Sequence, residues 1–437
     1  MTLKKRIFVF EYTVGGGFYA EEITSSLLCE GYAMLRSIAE DFKNLGYDII
    51  TQIDQRIVYL AKYLSIDQFY PVDSDNKFDD VFSKCIKMVD VCFIIAPEFS
   101  NILYNLTNTA CNLKKTIISI GLEGIKLGTS KIATYNYFKN NKVKTPKTFL
   151  IPGLNGKIDL NFINEQFSKY SLPFIIKPDD GVGAEAIYFF PDFDAVINFF
   201  TNPSLDFDFN RKYILQEYIC GDDYSISIIN KPSKNNFKPV KTILSINSQK
   251  IKYINYLGKA EYEGGYTPVP KFNSLKKKVI RLLNKIELNN FNGYLGIDFI
   301  LTNENEIYFI EINPRLTTSY IGIRKIYPQN LLSLLEQKYY KKSKSLIKRK
   351  GFSDFLKINL TYKGSFSFNE INEIILPTLM IKIPELVTPP ICVNETDLSK
   401  RMNFSCFIAT KCKNQKSSQK RILEIIKILE DYFTIIK

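Results

Sequence analysis

Apolar and polar positions change rhythm twice along this chain. Residues 5–12 read as a buried strand, followed by a turn at Gly15-Gly16-Gly17 and an apolar-periodic helix over 24–44. Further strands are expected at 47–53, 89–96 and 116–120, with a helix over 102–113. Strands alternating with helices predict an open parallel α/β sheet. From about Gly121 the pattern shifts. A helix is expected over 130–139, an extended exit enforced by Pro146 over 143–149, a strand over 173–178, and strand, linker and strand over 214–225. Two short strands, 294–301 and 306–315, then face each other across a tight turn. Beyond residue 331 come a basic helix-like run, strand-like pieces such as 376–383, and a final amphipathic helix over 417–436 with Ile422, Ile425, Ile426 and Leu429 on one side.

The 294–315 hairpin carries the densest chemistry. With Glu304 and Asn305 as a two-residue loop, Asp298 lies opposite Glu311, and opposed residues share a face. Two carboxylates there repel unless a cation compensates them. Asn313 projects from the same face and adds a neutral oxygen, giving the hard donor set that Mg2+ prefers, with Arg315 beside it for phosphate. A solvated edge hairpin is the alternative. The neighbours Ile297, Phe299, Ile307, Phe309, Ile310 and Ile312 argue against it, because charges interrupting an apolar surface need a reason.

Composition narrows the chemistry. At 437 residues the chain suggests two to four domains, and no stretch of about 18 apolar residues exists to span a bilayer. No signal-peptide core follows the start, so a cytoplasmic location is expected, away from membranes. The excess of 13 positive charges is scattered, without the aromatic interleaving of an RNA-binding sheet, so it fits anionic small molecules and not nucleic acid. Eight cysteines without a Cys-x-x-Cys pair read as core residues or inert thiols. The chain has no histidine, which removes Ser-His-Asp and Cys-His catalysis and any imidazole base. Chemistry is left to carboxylates, lysines, arginines, backbone groups and metal.

Other candidates are weaker alone. Lys177 leads into Asp179-Asp180-Gly181-Val182-Gly183-Ala184, where glycines let backbone N–H groups approach an anion; a plain glycine bend is the alternative. Gly15 to Gly17 lack dinucleotide spacing and read as a turn or substrate loop. Glu11 and Glu30 suit a cationic amine or are solvated charges.

The order Lys131, Lys177, glycine loop, Gln216-Glu217 linker and Asp298/Glu311/Asn313 cluster resembles the ATP-grasp superfamily over about residues 120–322. The resemblance implies a mixed α/β and α+β chain. A Rossmann-like preATP-grasp substrate domain would span 1–120, a two-lobed ATP-grasp domain 121–330 (lobes about 121–215 and 216–330), and a small C-terminal α+β appendage 331–437. By motif position Lys131 and Lys177 would hold the ATP phosphates, with Gly181 and Gly183 in the loop above them. Gln216, Glu217 and Ile219 would contact adenine, and Asp223 the ribose. Asp298, Glu311 and Asn313 would bind Mg2+, for which Mn2+ can substitute. Arg315 and Lys177 would stabilise the transferred phosphate. Asp223 is shorter than the usual Glu, and Gly296 stands where some members carry a basic residue. Residues 257–270 look like a loop covering the intermediate, with Gly264 and Gly265 as hinges.

The implied activity is ligation of a small-molecule carboxylate to an amine through an acyl phosphate, with a homodimer as candidate assembly. The segments Phe10-Glu11-Tyr12, Cys29-Glu30-Gly31, 181–185 and 313–320 resemble the ligases that join the γ-carboxylate of glutamate to tyramine. The same mechanism on another amino acid, or a non-catalytic ATP-binding regulatory protein, are the competing readings.

Overall fold

The structure, a computed structural model, describes residues 5–154, 157–181, 186–201, 207–232, 239–253, 260–270, 272–336, 348–393 and 402–436. It opens with β1 (Arg6–Glu11), α1 (Ser25–Asn44), β2 (Asp48–Asp54), β3 (Gln68–Val72), α2 (Phe78–Lys87), β4 (Val91–Ile95), α3 (Ile102–Asn112) and β5 (Thr116–Ile117). The strands form a parallel sheet of order β3-β2-β1-β4-β5. The expected open α/β sheet is present, with β3 and α2 added between the strands read from sequence. The order reverses between β1 and β4, and the crevice beyond their carboxyl ends is where ligands of such sheets bind.

Helices α4 (Leu122–Thr129) and α5 (Lys131–Asn140) lead to β6 (Thr148–Leu150). A small hairpin follows, β7 (Gly153–Leu154) with β8 (Lys157–Ile158), then α6 (Leu160–Tyr170), β9 (Phe174–Pro178), β10 (Tyr188–Phe190), α7 (Phe193–Thr201) and β11 (Tyr213–Glu217). This smaller lobe has an antiparallel sheet of order β10-β9-β11-β6 and its own apolar core, including Phe174, Ile176, Tyr188, Phe199 and Leu215.

The larger lobe contains β12 (Asp222–Lys231), β13 (Val240–Ser248), β14 (Lys250–Tyr253), β15 (Ala260–Thr267), α8 (Phe272–Leu283), β16 (Gly293–Leu301), β17 (Ile307–Asn313) and α9 (Ser319–Ile326). Strands β13-β12-β16-β17 make one sheet. The rest of the chain adds β18 (Ser353–Tyr362), α10 (Phe368–Glu370), α11 (Leu376–Lys382), β19 (Asn403–Ala409), α12 (Gln415–Glu430) and β20 (Phe433–Ile436). Strand β18 pairs with β15 at one end and β20 at the other along one edge, and with β19 along the opposite edge. The C-terminal segment thus completes a sheet begun by the larger lobe.

Three expectations change here. Residues 376–382 are a helix, because Ile371, Ile375, Leu376 and Leu379 are buried at helical spacing and Pro377 sits in the first turn, where no N–H is needed. The last helix stops at Glu430, and residues 433–436 pair with β18. Residues 260–267 are a strand in place of a covering loop, while 254–259 lie outside the described residues. The glycines there permit close strand approach. A Cβ on Gly264 (φ +111°) would lie 2.0 Å from Phe355 O, and one on Gly265 2.0 Å from Ser248 O.

Helix α1 joins the parts. Thr24 caps it by accepting from Leu27 N, and Leu28, Tyr32, Leu35, Ile38 and Phe42 are buried. Arg36 donates to Leu386 O and Val387 O, and Asp41 accepts from Tyr320 and Arg324 of α9. Two apolar clusters accordingly run from the parallel sheet into the larger lobe, one reaching Phe355 and Phe407.

Candidate active site

The hairpin β16–β17 places Asp298 opposite Glu311, by a route other than the one expected. The turn has three residues, with Thr302 N donating to Glu306 O and Asn305 left-handed at φ +67°. Pairing near the turn is therefore offset by one residue. A bulge between Asp298 and Phe299 restores the register, so the two carboxylates meet. Asn313 lies opposite Gly296, and its amide donates to Asp298 Oδ2 at 2.9 Å. Gln249, not anticipated from sequence, donates to Oδ1 at 3.1 Å. A Cβ on Gly296 would meet Thr317 Cγ2 at 2.8 Å, so a larger residue there would require Thr317 to shift.

Two lysines face these acids. Ser130 caps α5 and donates to Asp179 Oδ2 at 2.8 Å, while Ile132 N donates to Asp179 Oδ1 at 2.8 Å. That clasp ties the smaller lobe to the start of α5 and aims Lys131, whose Nζ lies 3.5 Å from Glu311 Oε2 and bonds Gly181 O. Lys177 on β9 is 5 % exposed. Burial lowers its pKa to about 8, with Glu311 opposing that shift and Lys131 adding to it. Burial and the facing Glu311 push Asp298 up to about 7. Burial raises Glu311 as well, but Lys131 and Lys177 outweigh it and hold this carboxylate below its ordinary value.

The donor set fits Mg2+. Among the described residues, no three His, Cys, Asp or Glu side chains converge as a self-sufficient metal cage. Mg2+ does not need one, since it typically takes one or two carboxylates and completes its shell with phosphate and water. Two opposed carboxylates and one amide oxygen would make such a half-shell, with the two ammonium groups beside it facing phosphate rather than the ion.

The remaining candidates fall around this centre. Gln216 is buried and donates to Thr148 Oγ1, and Glu217 accepts from Lys147 N at 3.0 Å and from its Nζ at 3.3 Å. Ile219 follows, half-buried in an otherwise exposed connection to β12. Asp223, opposite Ile300, has a pKa raised by burial and by Asp222, with Lys177 working against the rise. Gly181 is described, whereas Gly183 lies among residues 182–185 outside the described set.

Arg315 meets an acid from the parallel-sheet domain. Its Nε donates to both oxygens of Glu98, at 2.9 and 3.0 Å, just beyond β4. Glu98 was missed in the sequence, although Ala96-Pro97-Glu98 at a parallel strand's carboxyl end is the sort of signal that marks a site. Glu11, at the end of β1, is 4 % exposed and accepts from Val14 N at 2.8 Å. Burial raises its pKa to about 7, with Arg315 among the groups that lower it. Glu30 on α1 pairs with Lys357 at 2.7 Å.

Two antiparallel lobes whose lysines and acids face one another, backed by a parallel sheet whose switch point carries the partner of Arg315, define a class. Residues 129–319 match the ATP-grasp domain family and residues 47–123 the pre ATP-grasp 3 domain. The chain belongs to the ATP-grasp superfamily, and its class is that of carboxylate–amine ligases that form ADP and phosphate. Among individual relatives, tyramine–L-glutamate ligase of Methanocaldococcus jannaschii is 27 % identical over 329 residues, 73 % of this chain and 84 % of that protein. Its counterpart in Methanocaldococcus fervens is 28 % identical over 327 residues, 73 % and 89 %. In fold, the biotin carboxylase domain of Hydrogenobacter thermophilus 2-oxoglutarate carboxylase, solved with MgADP, superposes with a TM-score of 0.69 at 13 % identity, covering 100 % of this chain and 92 % of that one. No helix among the described residues is long and apolar enough to cross a membrane.

Proposed function

We propose that the chain joins the γ-carboxylate of glutamate to the amine of tyramine through an acyl phosphate, using ATP and Mg2+. The observation that carries this reading is the meeting of two half-sites. The Asp298/Glu311/Asn313 face with Lys131 and Lys177 is suited to a nucleotide's phosphates, and Arg315 links it to Glu98 at the switch point of the parallel sheet. A carboxylate held beside Arg315 would lie between phosphate donor and amine.

Bound at this face, Mg2+ would neutralise the phosphate oxygens; Mn2+ suits the same oxygen donors. Lys177 and Lys131 would bear on the transferred phosphate, whose spreading charge needs neutralisation and positioning more than proton chemistry. This agrees with a chain that has no imidazole. Because the Gln216 and Glu217 side chains are committed to Thr148 and Lys147, adenine would be read by backbone groups between Glu217 and Ile219, with Asp223 toward the ribose. Glu11, buried, and Glu30, half-buried and paired with Lys357, would place carboxyl groups beside an ammonium-bearing substrate.

The test is ADP release by the purified chain with ATP, Mg2+ and L-glutamate, with and without tyramine, against a panel of amino acids and amines. Tyramine-dependent release with the matching amide supports the reading. Release with another pair moves the substrates and keeps the chemistry, and nucleotide binding without product on any pair overturns the ligase.

A further inference from the structure

Lys357, in the middle of β18, is a deeply placed cation of the C-terminal segment, with its side chain 3 % exposed. Its Nζ lies 2.7 Å from Glu30 Oε1 of α1 and 3.0 Å from Glu261 Oε1 of β15. Residues from the parallel-sheet domain, the larger lobe and the C-terminal segment thus converge on one ammonium group. Glu261 Oε1 also accepts from Ser26 Oγ at 2.9 Å and Asn359 Nδ2 at 3.1 Å. Burying a lysine between two acids costs several kcal/mol in desolvation, and well-packed apolar residues would often stabilise such a junction more. The cluster therefore calls for a reason other than holding the domains together.

Its geometry supplies one. The carboxylates stand in front of the lysine: the side chains of Glu30 and Glu261 are 20 % and 24 % exposed. Glu30 stands beside the carboxyl end of β1, since a Cβ on its neighbour Gly31 would lie 2.3 Å from Glu11 Oε2. One cation there stands against two carboxyl groups.

We propose that Lys357 is a positioning residue that holds Glu30 and Glu261 in register to receive a primary ammonium group of the substrate, so that the C-terminal segment completes the substrate pocket. This rests on the ligase reading above. Glutamate carries such a group at its α-carbon and tyramine carries one as the amine, and the experiment separates them.

ADP release is measured for wild type, Lys357→Met, Lys357→Arg and Glu261→Gln, with separate KM values for ATP, L-glutamate and tyramine, and with glutarate as a carboxylate lacking the α-ammonium. The expected result is a rise of about tenfold in one ammonium-bearing substrate's KM for Lys357→Met and Glu261→Gln, with the KM for ATP within about twofold and substantial recovery in Lys357→Arg. If glutamate is the group received, the preference for glutamate over glutarate also narrows; if tyramine, only its KM moves. Should Lys357→Met fail to fold, the near-isosteric Glu261→Gln decides. Unchanged KM values for both substrates in a folded variant would overturn the proposal, as would a uniform fall in kcat tracking thermal stability. Absence of amine-dependent ADP release in the wild type would remove the ligase reading and this proposal together, and would be seen before any variant was compared.

Discussion

Glu11 gives the sharpest physical test. Its carboxyl is 4 % exposed beneath α1, where a Cβ on Gly31 would lie 2.3 Å from Oε2, and burial raises its pKa from 4.5 to about 7. The folded chain therefore binds the proton more tightly than the unfolded chain. The resulting stability is fully present below about pH 4.5, is lost progressively as pH rises toward 7, and stays lost above it. At about 1.4 kcal/mol per pH unit, the loss comes to about 0.8 kcal/mol at pH 5 and about 3.3 kcal/mol at pH 8. Glu11→Gln keeps an oxygen to accept from Val14 N and has nothing to ionise. Its stability relative to wild type should therefore improve by about 2.5 kcal/mol between pH 5 and pH 8, or about 5 °C in the melting temperature of the unit containing the parallel sheet. Calorimetric scans of both proteins at several pH values measure this. A gap that stays constant, or closes as pH rises, would show that Glu11 is already charged in the folded chain and would refute the burial argument.

Glu311→Ala should lower turnover by about a thousandfold while circular dichroism is unchanged, because it removes a half-buried carboxylate and no core volume; full activity would remove the metal assignment. Lys177→Met should weaken ATP binding and lower kcat by about a hundredfold, read from ADP release and nucleotide titration. Gly264→Ala should cost about 3 kcal/mol or more in urea unfolding, since a methyl group would collide with Phe355 O at a backbone angle that disfavours L side chains. An unaltered unfolding midpoint would mean that β15 and β18 are not packed as closely as described.

What the sequence revealed was mostly local. The strand–helix alternation of the first 117 residues and the apolar hairpin around Asp298 repeat within short windows, so periodicity exposes them. The Asp298–Glu311 pairing was reached with the wrong turn, because a bulge next to Asp298 cancels a loop one residue longer than assumed. Short apolar runs were ambiguous: 376–383 fits strand or helix until Ile371 and Ile375 extend the helical stripe. Contacts between distant residues left no periodic trace. Arg315 is 217 positions from Glu98, and Lys357 is 327 from Glu30. Gln249 was invisible for the same reason, its amide reaching Asp298 only once β13 and β16 are both placed against β12.

The smaller lobe keeps its own apolar core and makes polar contacts with the rest of the chain, with Asp179 on α5 and Asp180 receiving Ser100 N. Such a unit can open sub-globally without exposing the shared cores, and its amide protons should exchange through that opening instead of through global unfolding. Lys177 rides on this unit, so nucleotide spanning the seam would close the exchange route by an amount set by its concentration relative to its dissociation constant. The protection of β9 and β11 against deuterium would then serve as an internal gauge of site occupancy, independent of whether any product is made.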